Sequence, residues 1–99
     1  MYLVVFRSRK RADIDQLAYA AQAEAIETLA GRQEGFLSFN SYTPDDGETV
    51  AISEWTDETS ARAWGRVADH AAAQADGQTR WYCEYTLFGC ENPRIRRFP

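Results

Sequence analysis

Cysteine is scarce in this chain of 99 residues, and the two that occur do not suit a disulfide. Cys83 and Cys90 fall on one predicted strand, and their odd separation sends the two side chains to opposite faces. Neither belongs to a CxxC pair, which argues against the usual zinc and thiol redox motifs. We therefore expect two free thiols that are buried for structural reasons.

Long apolar runs are also missing. No stretch approaches the ~20 apolar residues that a membrane-spanning helix needs. Residues 1–7 form an apolar run that is too short for a signal peptide and has its basic residue on the wrong side. These features predict a cytoplasmic protein with no membrane partner.

Positive charge is outnumbered, since the formal net charge is −4. An acidic chain is repelled by phosphate backbones, so we expect no nucleic-acid partner. Two local exceptions are the basic clusters within residues 7–11 and 94–97. They are either solvated surface charge or a rim that attracts an acidic or phenolate substrate.

Aromatic residues, by contrast, are plentiful at 13% of the chain. All three tryptophans and the single histidine lie between residues 55 and 81. The length and the ordinary hydrophobic content predict one globular domain over residues 1–99. In so small a domain, aromatic residues on one helix and its neighbouring strands often line a pocket as well as fill a core.

Four segments have the composition and alternation of β-strands, at residues 2–7, 36–42, 48–55 and 81–90. The second and third flank the turn sequence at residues 43–47, which predicts a hairpin. Alternation along the second strand places Phe36 and Phe39 on opposite faces. Residues 91–99 contain two prolines and are expected to form an irregular tail.

Two segments have helical periodicity. Asp13 is the expected cap of the first helix and Gly31 its stop, while Thr56 or Asp57 caps the second, which ends near Gly77. The expected inward positions of the first helix are Ile14, Leu17, Ala18, Ala21, Ala25 and Leu29. Those of the second helix are Ala61, Trp64, Ala68, Ala71 and Ala75.

The order β-α-β-β-α-β predicts an α+β fold of the ferredoxin-like kind, a four-stranded antiparallel sheet with two helices on one face. Such a sheet normally leaves its other face polar. Here both faces of the strands carry apolar residues, for example Val4 and Phe6 against Leu3 and Val5. We therefore expect a homodimer that covers the second face.

Several residues, in this order and spacing, resemble the antibiotic biosynthesis monooxygenase (ABM) family over nearly the whole chain: Gly35, Phe36, Glu54, Trp55, Trp64, His70, Trp81 and Tyr82. The resemblance implies a dimeric α/β barrel. It also implies one of three activities, which are cofactor-free oxygenation of polycyclic phenols to quinones, oxygenation and breakdown of heme, or oxidation of small quinols. Many members have no demonstrated reaction.

The resemblance implies a different role for each of the matching positions. Trp64 matches a pocket tryptophan of the second helix, although its place on the apolar stripe also suits a core residue. His70 is a candidate base or hydrogen-bonding partner for a phenol, or a surface histidine. Ser60 stands where phenol-oxygenating relatives have an asparagine, and Arg7 or Arg80 would supply their pocket arginine.

The heme-degrading activity fits less well. The first strand has Phe6, Arg7 and Ser8 where those relatives carry an asparagine, and Gln74 stands at the position of their ligand histidine. His70 is the only histidine that could bind heme iron. We expect no cofactor, with heme as the alternative.

The leading hypothesis is a cofactor-independent monooxygenase that oxidises a phenolic or quinol-type small molecule between the second helix and the sheet. Its proposed groups are His70 as base, Trp64 as a catalytic pocket residue and Arg80 or Arg7 as the cation. The candidate substrate-binding residues are Arg7, Phe36, Phe39, Ser60 and Tyr82. The main rival is a dimer that binds a small hydrophobic ligand without catalysis.

Overall fold

The structure, a computed structural model, describes residues 1–74 and 81–99, and the side chains of all of these except residues 70–74. Within that part the chain forms four strands and two helices in the predicted order. Their bounds are β1 Tyr2–Lys10, α1 Gln16–Ala30, β2 Phe36–Tyr42, β3 Glu48–Trp55, α2 Glu58–Gln74 and β4 Tyr82–Glu91. The ferredoxin-like βαββαβ fold is therefore confirmed.

The strands form one antiparallel sheet in the order β2-β3-β1-β4. The predicted bounds of β2 and β3 are confirmed, and so is their turn, where the Gly47 amide donates to the Pro44 carbonyl at 2.9 Å. The central strand β1 was predicted to end at Arg7 but continues to Lys10. The extension follows from its position, because β1 pairs with β3 on one side and with β4 on the other.

Both helices begin at an aspartate. The carboxylate of Asp15, not of Asp13, accepts the Ala18 amide at 3.0 Å, so the predicted cap of α1 was wrong by two residues. Asp57 caps α2 by accepting the Ser60 amide at 2.8 Å. That hydrogen bond and a second one from the Ser60 side chain lower the Asp57 pKa. Gly31 follows the last residue of α1 as predicted, whereas Gly77 lies outside the described residues.

The core lies between the helices and one face of the sheet. Its buried centre consists of Ala30, Trp55, Ala61 and Trp64. The predicted inward stripe of α1 was wrong at Leu17, which is 84% exposed, and at Ala21 and Ala25, which are exposed as well, whereas Leu29 packs against the core as predicted. The residues of α1 that turn inward are Tyr19, Gln22, Ile26, Leu29 and Ala30.

A β-bulge in β2 overturns the predicted parity of its two phenylalanines. Phe36 pairs with Trp55 and Phe39 pairs with Ser53, with the register shift lying between Phe36 and Ser38. Trp55 and Ser53 are two residues apart on β3 and share a face. Phe36 and Phe39 therefore lie on the same, helix-covered face, because the extra residue reverses the alternation.

The other face of the sheet carries no helix among the described residues, and it is apolar at its centre. Val5 lies between Ile52 of β3 and Phe88 of β4 in the strand register, and Phe88 is 47% exposed. We call this the outer face. The two cysteines of β4 are free as expected, but the prediction that they are buried was wrong.

Candidate functional site

Trp64 lies in the core. Its indole ring stacks on that of Trp55, with ring centroids 6.0 Å apart and planes 23° apart. Trp55 is fully buried and also meets Phe36 edge-on at 5.6 Å. This packing fills the space between the N-terminal half of α2 and the sheet. Trp64 and Phe36 are therefore brought together, as walls of a packed aromatic core.

Ser60 lies in the first turn of α2, against Gly35. A side chain at Gly35 would overlap Ser60 and also meet Thr56, and Gly35 has a positive φ of 83°. The Thr56 amide donates to the Gly35 carbonyl at 2.8 Å. This contact ties the entry of α2 to the start of β2, which explains a structural need for glycine at position 35.

Arg7 lies on the outer face of the sheet. Its guanidinium pairs with the Glu48 carboxylate at 3.3 Å, and its side chain is 50% exposed. Its neighbours Phe6 and Ser8 on β1 face the helices, so alternation along the strand turns Arg7, with its register partners Val50 and Thr86, to the opposite face. The sheet therefore separates Arg7 from Trp64. The structure thus does not bring Arg7 to the pocket for which it was predicted.

The side-chain positions of two predicted site residues, His70 and Arg80, lie outside the described part of the structure. His70 belongs to the C-terminal half of α2, six residues or ~9 Å of helix axis beyond Trp64. Its side chain lies outside the described residues, and so does the whole of Arg80. Their roles as base and cation stay predictions.

A second group of aromatic side chains lies at the other end of the sheet, where β1 ends and β4 begins. The Phe6 ring contacts Tyr82 at 5.4 Å and Tyr85 at 5.3 Å between centroids. Tyr19 of α1 meets Trp81 at 5.7 Å and Tyr82 at 6.2 Å. We call Phe6, Tyr19, Trp81, Tyr82 and Tyr85 the aromatic cluster.

The aromatic cluster is partly open. Tyr85 and Leu87 of β4 face the helix side, opposite Ser8 and Phe6 of β1, yet they are 54% and 62% exposed. On the opposite side of the cluster Trp81 is buried, and its indole N–H donates to the Gln22 side chain at 2.7 Å. The described helices therefore leave an aromatic surface accessible above β4, with a fixed wall at Trp81.

Tyr82, a predicted substrate-binding residue, is the most perturbed ionisable group that the structure describes. Burial raises the pKa of its hydroxyl far above the ordinary value, and its contact with the Tyr19 hydroxyl at 3.5 Å raises the pKa further. The Tyr82 hydroxyl is therefore neutral at physiological pH. It can donate a hydrogen bond to a ligand but cannot act as a base.

Polar side chains continue from the aromatic cluster along the same face. The Lys10 ammonium donates to the Thr49 hydroxyl at 2.9 Å and lies 4.8 Å from the centroid of the Tyr19 ring. Thr49 also shares a hydrogen bond of 3.0 Å with Thr43. Ser8, which pairs with Thr49 in the register, is 2% exposed. We call Ser8, Lys10 and Thr49 the polar row.

The sequence interpretation missed the polar row although a signal for it was present. Ser8 and Lys10 continue the alternation of Val4 and Phe6, so a strand extended by three residues would have placed them on the helix side. The basic residues around position 10 were instead treated as one cluster, either solvated surface charge or a rim that attracts an anionic substrate. The strand separates them, since Arg9 points to the outer face and pairs with Asp46 at 3.3 Å and Glu84 at 3.5 Å.

Other surfaces of the described residues offer less chemistry. A shallow groove runs along the exposed side of α1 and is lined by Ala21, Glu24, Ala25, Thr28, Leu29 and Arg32. It contains no aromatic side chain and lies apart from the aromatic cluster. No three His, Cys, Asp or Glu side chains converge as a metal site in the described part of the chain. Neither helix in that part has the length and hydrophobicity of a membrane span.

Comparison with known proteins gives this architecture a family. A sequence model of the antibiotic biosynthesis monooxygenase family matches residues 1–76. Because the match covers most of the chain, the protein belongs to the antibiotic biosynthesis monooxygenase family, as the resemblance predicted. The uncharacterized protein YqjZ of Bacillus subtilis (strain 168) is 31% identical over 97 residues, which span 98% of this chain and 83% of YqjZ.

Solved structures agree with the fold. Rv0793 from Mycobacterium tuberculosis has a TM-score of 0.77 at 17% identity, covering 97% of this chain and 98% of its own. SnoaB from Streptomyces nogalater, a cofactor-independent oxygenase, has a TM-score of 0.69 at 18% identity, covering 98% of this chain and 94% of its own. At such low identities the likeness establishes the architecture alone.

Proposed function

We propose that this protein is a cofactor-independent monooxygenase that oxidises a phenolic or quinol-type aromatic small molecule. Membership of the antibiotic biosynthesis monooxygenase family supports the reaction class, and the similarity to SnoaB supports chemistry without a cofactor. The single observation that carries the proposal is the partly open aromatic cluster next to the polar row. A flat aromatic substrate finds there both stacking faces and hydrogen-bond donors.

The reaction needs no metal if the substrate itself supplies the electrons. A ring CH2 next to a phenol-derived carbonyl loses a proton, and the resulting carbanion transfers an electron to O2. The carbon then becomes a carbonyl that carries one oxygen atom, while the second oxygen atom leaves as water. The protein contributes a dry pocket, a base and positive charge or donors for the anionic form.

We place the proposed pocket toward the C-terminal half of α2. Trp64 and Trp55 fill the space near the N-terminal half, whereas the aromatic cluster lies at the opposite end of the sheet. His70 belongs to the half of α2 that runs toward this end, so it remains the proposed base. Tyr82 is the proposed donor, and Arg80, one residue before Trp81, remains a proposed cation.

We also propose that the outer face of the sheet forms a homodimer. Its apolar centre of Leu3, Val5, Ile52 and Phe88 is bordered by the Arg7–Glu48 and Arg9–Glu84 ion pairs. An apolar centre with a charged border is typical of a stable interface between copies. In this arrangement Arg7 belongs to the interface. A monomeric mass by light scattering at micromolar concentration would contradict it.

Oxygen uptake tests the proposed activity directly. Purified protein is incubated with anthrone-type and catechol-type substrates, and we expect oxygen uptake above the spontaneous rate. The quinone formed from an anthrone-type substrate, which has the ring CH2, should carry one atom from 18O2. His70→Ala is expected to lower the rate by ~100-fold or more, as loss of a general base does. Absence of uptake across a broad phenol panel counts against an oxygenase.

A binding protein without catalysis is the second candidate function. The burial of Trp64 against Trp55 favours it, because that tryptophan then serves the core. Saturable binding of aromatic ligands together with absent oxygen uptake would select this alternative. Heme binding rests on His70 alone, and a hemin titration without a Soret shift, or with one unchanged in His70→Ala, would dispose of it.

A further inference from the structure

We propose that Ser8 and Lys10 form a subsite for an anionic oxygen, phenolate or carboxylate, carried by the aromatic ligand. The inference rests on the proposed function for the position of the ring over the aromatic cluster. It adds the chemical class of the ligand, an aromatic anion, and the two side chains that recognise its charge.

Lys10 is a cation without a carboxylate partner among the described residues. Its neighbours on β1 are paired, since Arg7 binds Glu48 while Arg9 binds Asp46 and Glu84. Within the described part of the chain, the Lys10 ammonium contacts the Thr49 hydroxyl and the face of the Tyr19 ring. Because an ammonium has three N–H donors, two remain for a ligand oxygen.

Ser8 supplies the independent observation. Its hydroxyl is buried on the helix side of the sheet and has no hydrogen-bond partner among the described residues. A buried hydroxyl without a partner is rare and unfavourable in a folded protein. We therefore infer that a ligand oxygen accepts the hydrogen bond that the buried Ser8 hydroxyl can donate.

The two groups converge through Thr49. Thr49 pairs with Ser8 in the register, and its hydroxyl accepts the Lys10 ammonium at 2.9 Å and shares a hydrogen bond with Thr43 at 3.0 Å. The ammonium is therefore held by the residue that pairs with Ser8 across β1 and β3. One carboxylate, or a phenolate with a neighbouring ring oxygen, can accept from both.

The approach to this subsite lies over β4. Tyr85 lies opposite Ser8 across the β1–β4 pair and is 54% exposed, so we expect the ligand to enter past its side chain. An exposed side chain changes rotamer within nanoseconds. The ligand ring would then stack beside Phe6 and Tyr82, with its anionic oxygen toward the polar row.

Binding of matched fluorescent probes tests the subsite without any turnover. Anthracene-9-carboxylate carries the anion, and anthracene-9-carboxamide is its neutral counterpart. We expect the wild-type protein to prefer the anion and Lys10→Met to lose about 10- to 100-fold of its affinity for the anion alone, as for a lost charge-assisted hydrogen bond. Lys10→Arg should restore most of the preference.

Arg9→Met is the matched control, because it removes one positive charge at the next residue but on the outer face. Arg9→Met should leave the affinities for the carboxylate and the carboxamide within about twofold of the wild-type values, since a solvent-exposed charge on the far side of the sheet is screened by salt. Equal losses in Lys10→Met and Arg9→Met would overturn the subsite, and so would a wild-type protein with no preference for the anion.

Ser8→Ala gives a second, independent readout. It should weaken anion binding while leaving the urea midpoint of the free protein unchanged or higher, because the removed hydroxyl has no partner to lose. A lowered midpoint with unchanged binding would assign Ser8 to the fold and contradict the proposal.

A phenolate arm distinguishes the two kinds of anionic oxygen. Alizarin absorbs at longer wavelength when its hydroxyl ionises, so bound alizarin should be more ionised on the wild-type protein than on Lys10→Met at the same pH. If the protein favours ionised alizarin but does not bind anthracene-9-carboxylate tightly, the natural ligand is a phenolate. If it binds the carboxylate tightly and does not favour ionised alizarin, the ligand is a carboxylate. If neither responds to Lys10→Met, the subsite is wrong.

These results are separable from the proposed activity. Loss of anion selectivity in Lys10→Met together with no oxygen uptake on any phenol would support the subsite and reject the oxygenase. Normal oxygen uptake with identical probe binding in Lys10→Met would do the opposite.

Discussion

The indole of Trp64 lies over the indole of Trp55, at 6.0 Å between ring centroids and 23° between planes. The pair joins α2 to the end of β3 and forms the largest part of the buried core. Its position separates a packed end of the sheet, around Trp55, from a more open end around the aromatic cluster. That separation is the reason why we propose the ligand site at the open end.

The tryptophan pair should dominate stability. Trp55→Ala removes a fully buried indole and is expected to cost about 3–5 kcal/mol of unfolding free energy. Trp64→Phe keeps an aromatic ring on Trp55 and should cost less than half of that. Urea unfolding followed by circular dichroism measures both. If Trp64→Phe instead lowers oxygen uptake at unchanged stability, Trp64 contacts the substrate.

Two glycines with nearly equal backbone angles allow a steric contact to be isolated. Gly35 has φ 83° and Gly47 has φ 84°, but only Gly35 is crowded, by Ser60 and Thr56, whereas a side chain at Gly47 meets nothing within 4 Å. Alanine at either position should cost about 1–2 kcal/mol for the left-handed backbone. Gly35→Ala should cost a further ~1–3 kcal/mol from overpacking.

Urea midpoints of the two glycine variants provide the comparison. Equal destabilisation would mean that α2 moves away from Gly35 at little cost. The double variant Gly35→Ala with Ser60→Gly should recover part of the difference, because it removes the nearest overlapping side chain.

Stability at alkaline pH should depend on Tyr82. Burial raises the Tyr82 pKa above its usual value of 10.0, so the folded state binds this proton more tightly than the unfolded state. The resulting stability is complete below pH 10 and is lost as the pH rises through and beyond that value.

The test compares urea midpoints at about pH 8 and about pH 11, on either side of the ordinary tyrosine pKa. The wild-type protein should lose more stability across this interval than Tyr82→Phe. Tyr42→Phe removes an exposed hydroxyl and is the matched control. It should lose as much stability between the two pH values as the wild-type protein does. An equal loss in all three proteins would show that Tyr82 ionises freely in the folded state.

The proposed dimer is testable by charge on the outer face. Phe88→Glu introduces a carboxylate at the apolar centre, where an isolated subunit exposes 47% of the phenylalanine. We expect the dimer dissociation constant to rise at least about tenfold, as for loss of a buried aromatic contact. Sedimentation velocity over a concentration series measures it.

Leu17→Glu is the matched control for the interface, because Leu17 is 84% exposed on α1 and lies on the other side of the molecule. It should leave the mass unchanged. Dissociation by Leu17→Glu and none by Phe88→Glu would place the interface on the helices.

Some features could be predicted from the sequence because they depend on local chemistry. The turn residues 43–47 and the alternation beside them determined β2 and β3, and Asp57 with its following residues determined the start of α2. The β-α-β-β-α-β order followed from these punctuating residues. It led to the correct fold, and together with the residues that carry the resemblance it led to the correct family.

Other features could not be read locally. The bulge that places Phe36 and Phe39 on one face is set by pairing with β3, and the inward side of α1 is set by what lies beneath it. Leu17 is apolar yet exposed, whereas Tyr19 and Gln22 turn inward, because Trp81 and Tyr82 lie below them. Helical spacing alone does not show which of two partly apolar sides meets the sheet.

By itself the sequence determined the order of elements and their turns, since these depend on neighbouring residues along the chain, and its resemblance to known proteins indicated the family. Only the tertiary structure decided that Lys10 lies beside Thr49 and Tyr19 while Arg9 pairs with carboxylates on the opposite face. The physical reason is that side chains alternate between the two faces only within a strand. The faces of Arg9 and Lys10 can therefore be assigned only when β1 is known to include both residues. That extension comes from pairing with strands that are distant along the chain, as in the Ser8–Thr49 and Arg9–Glu84 register pairs.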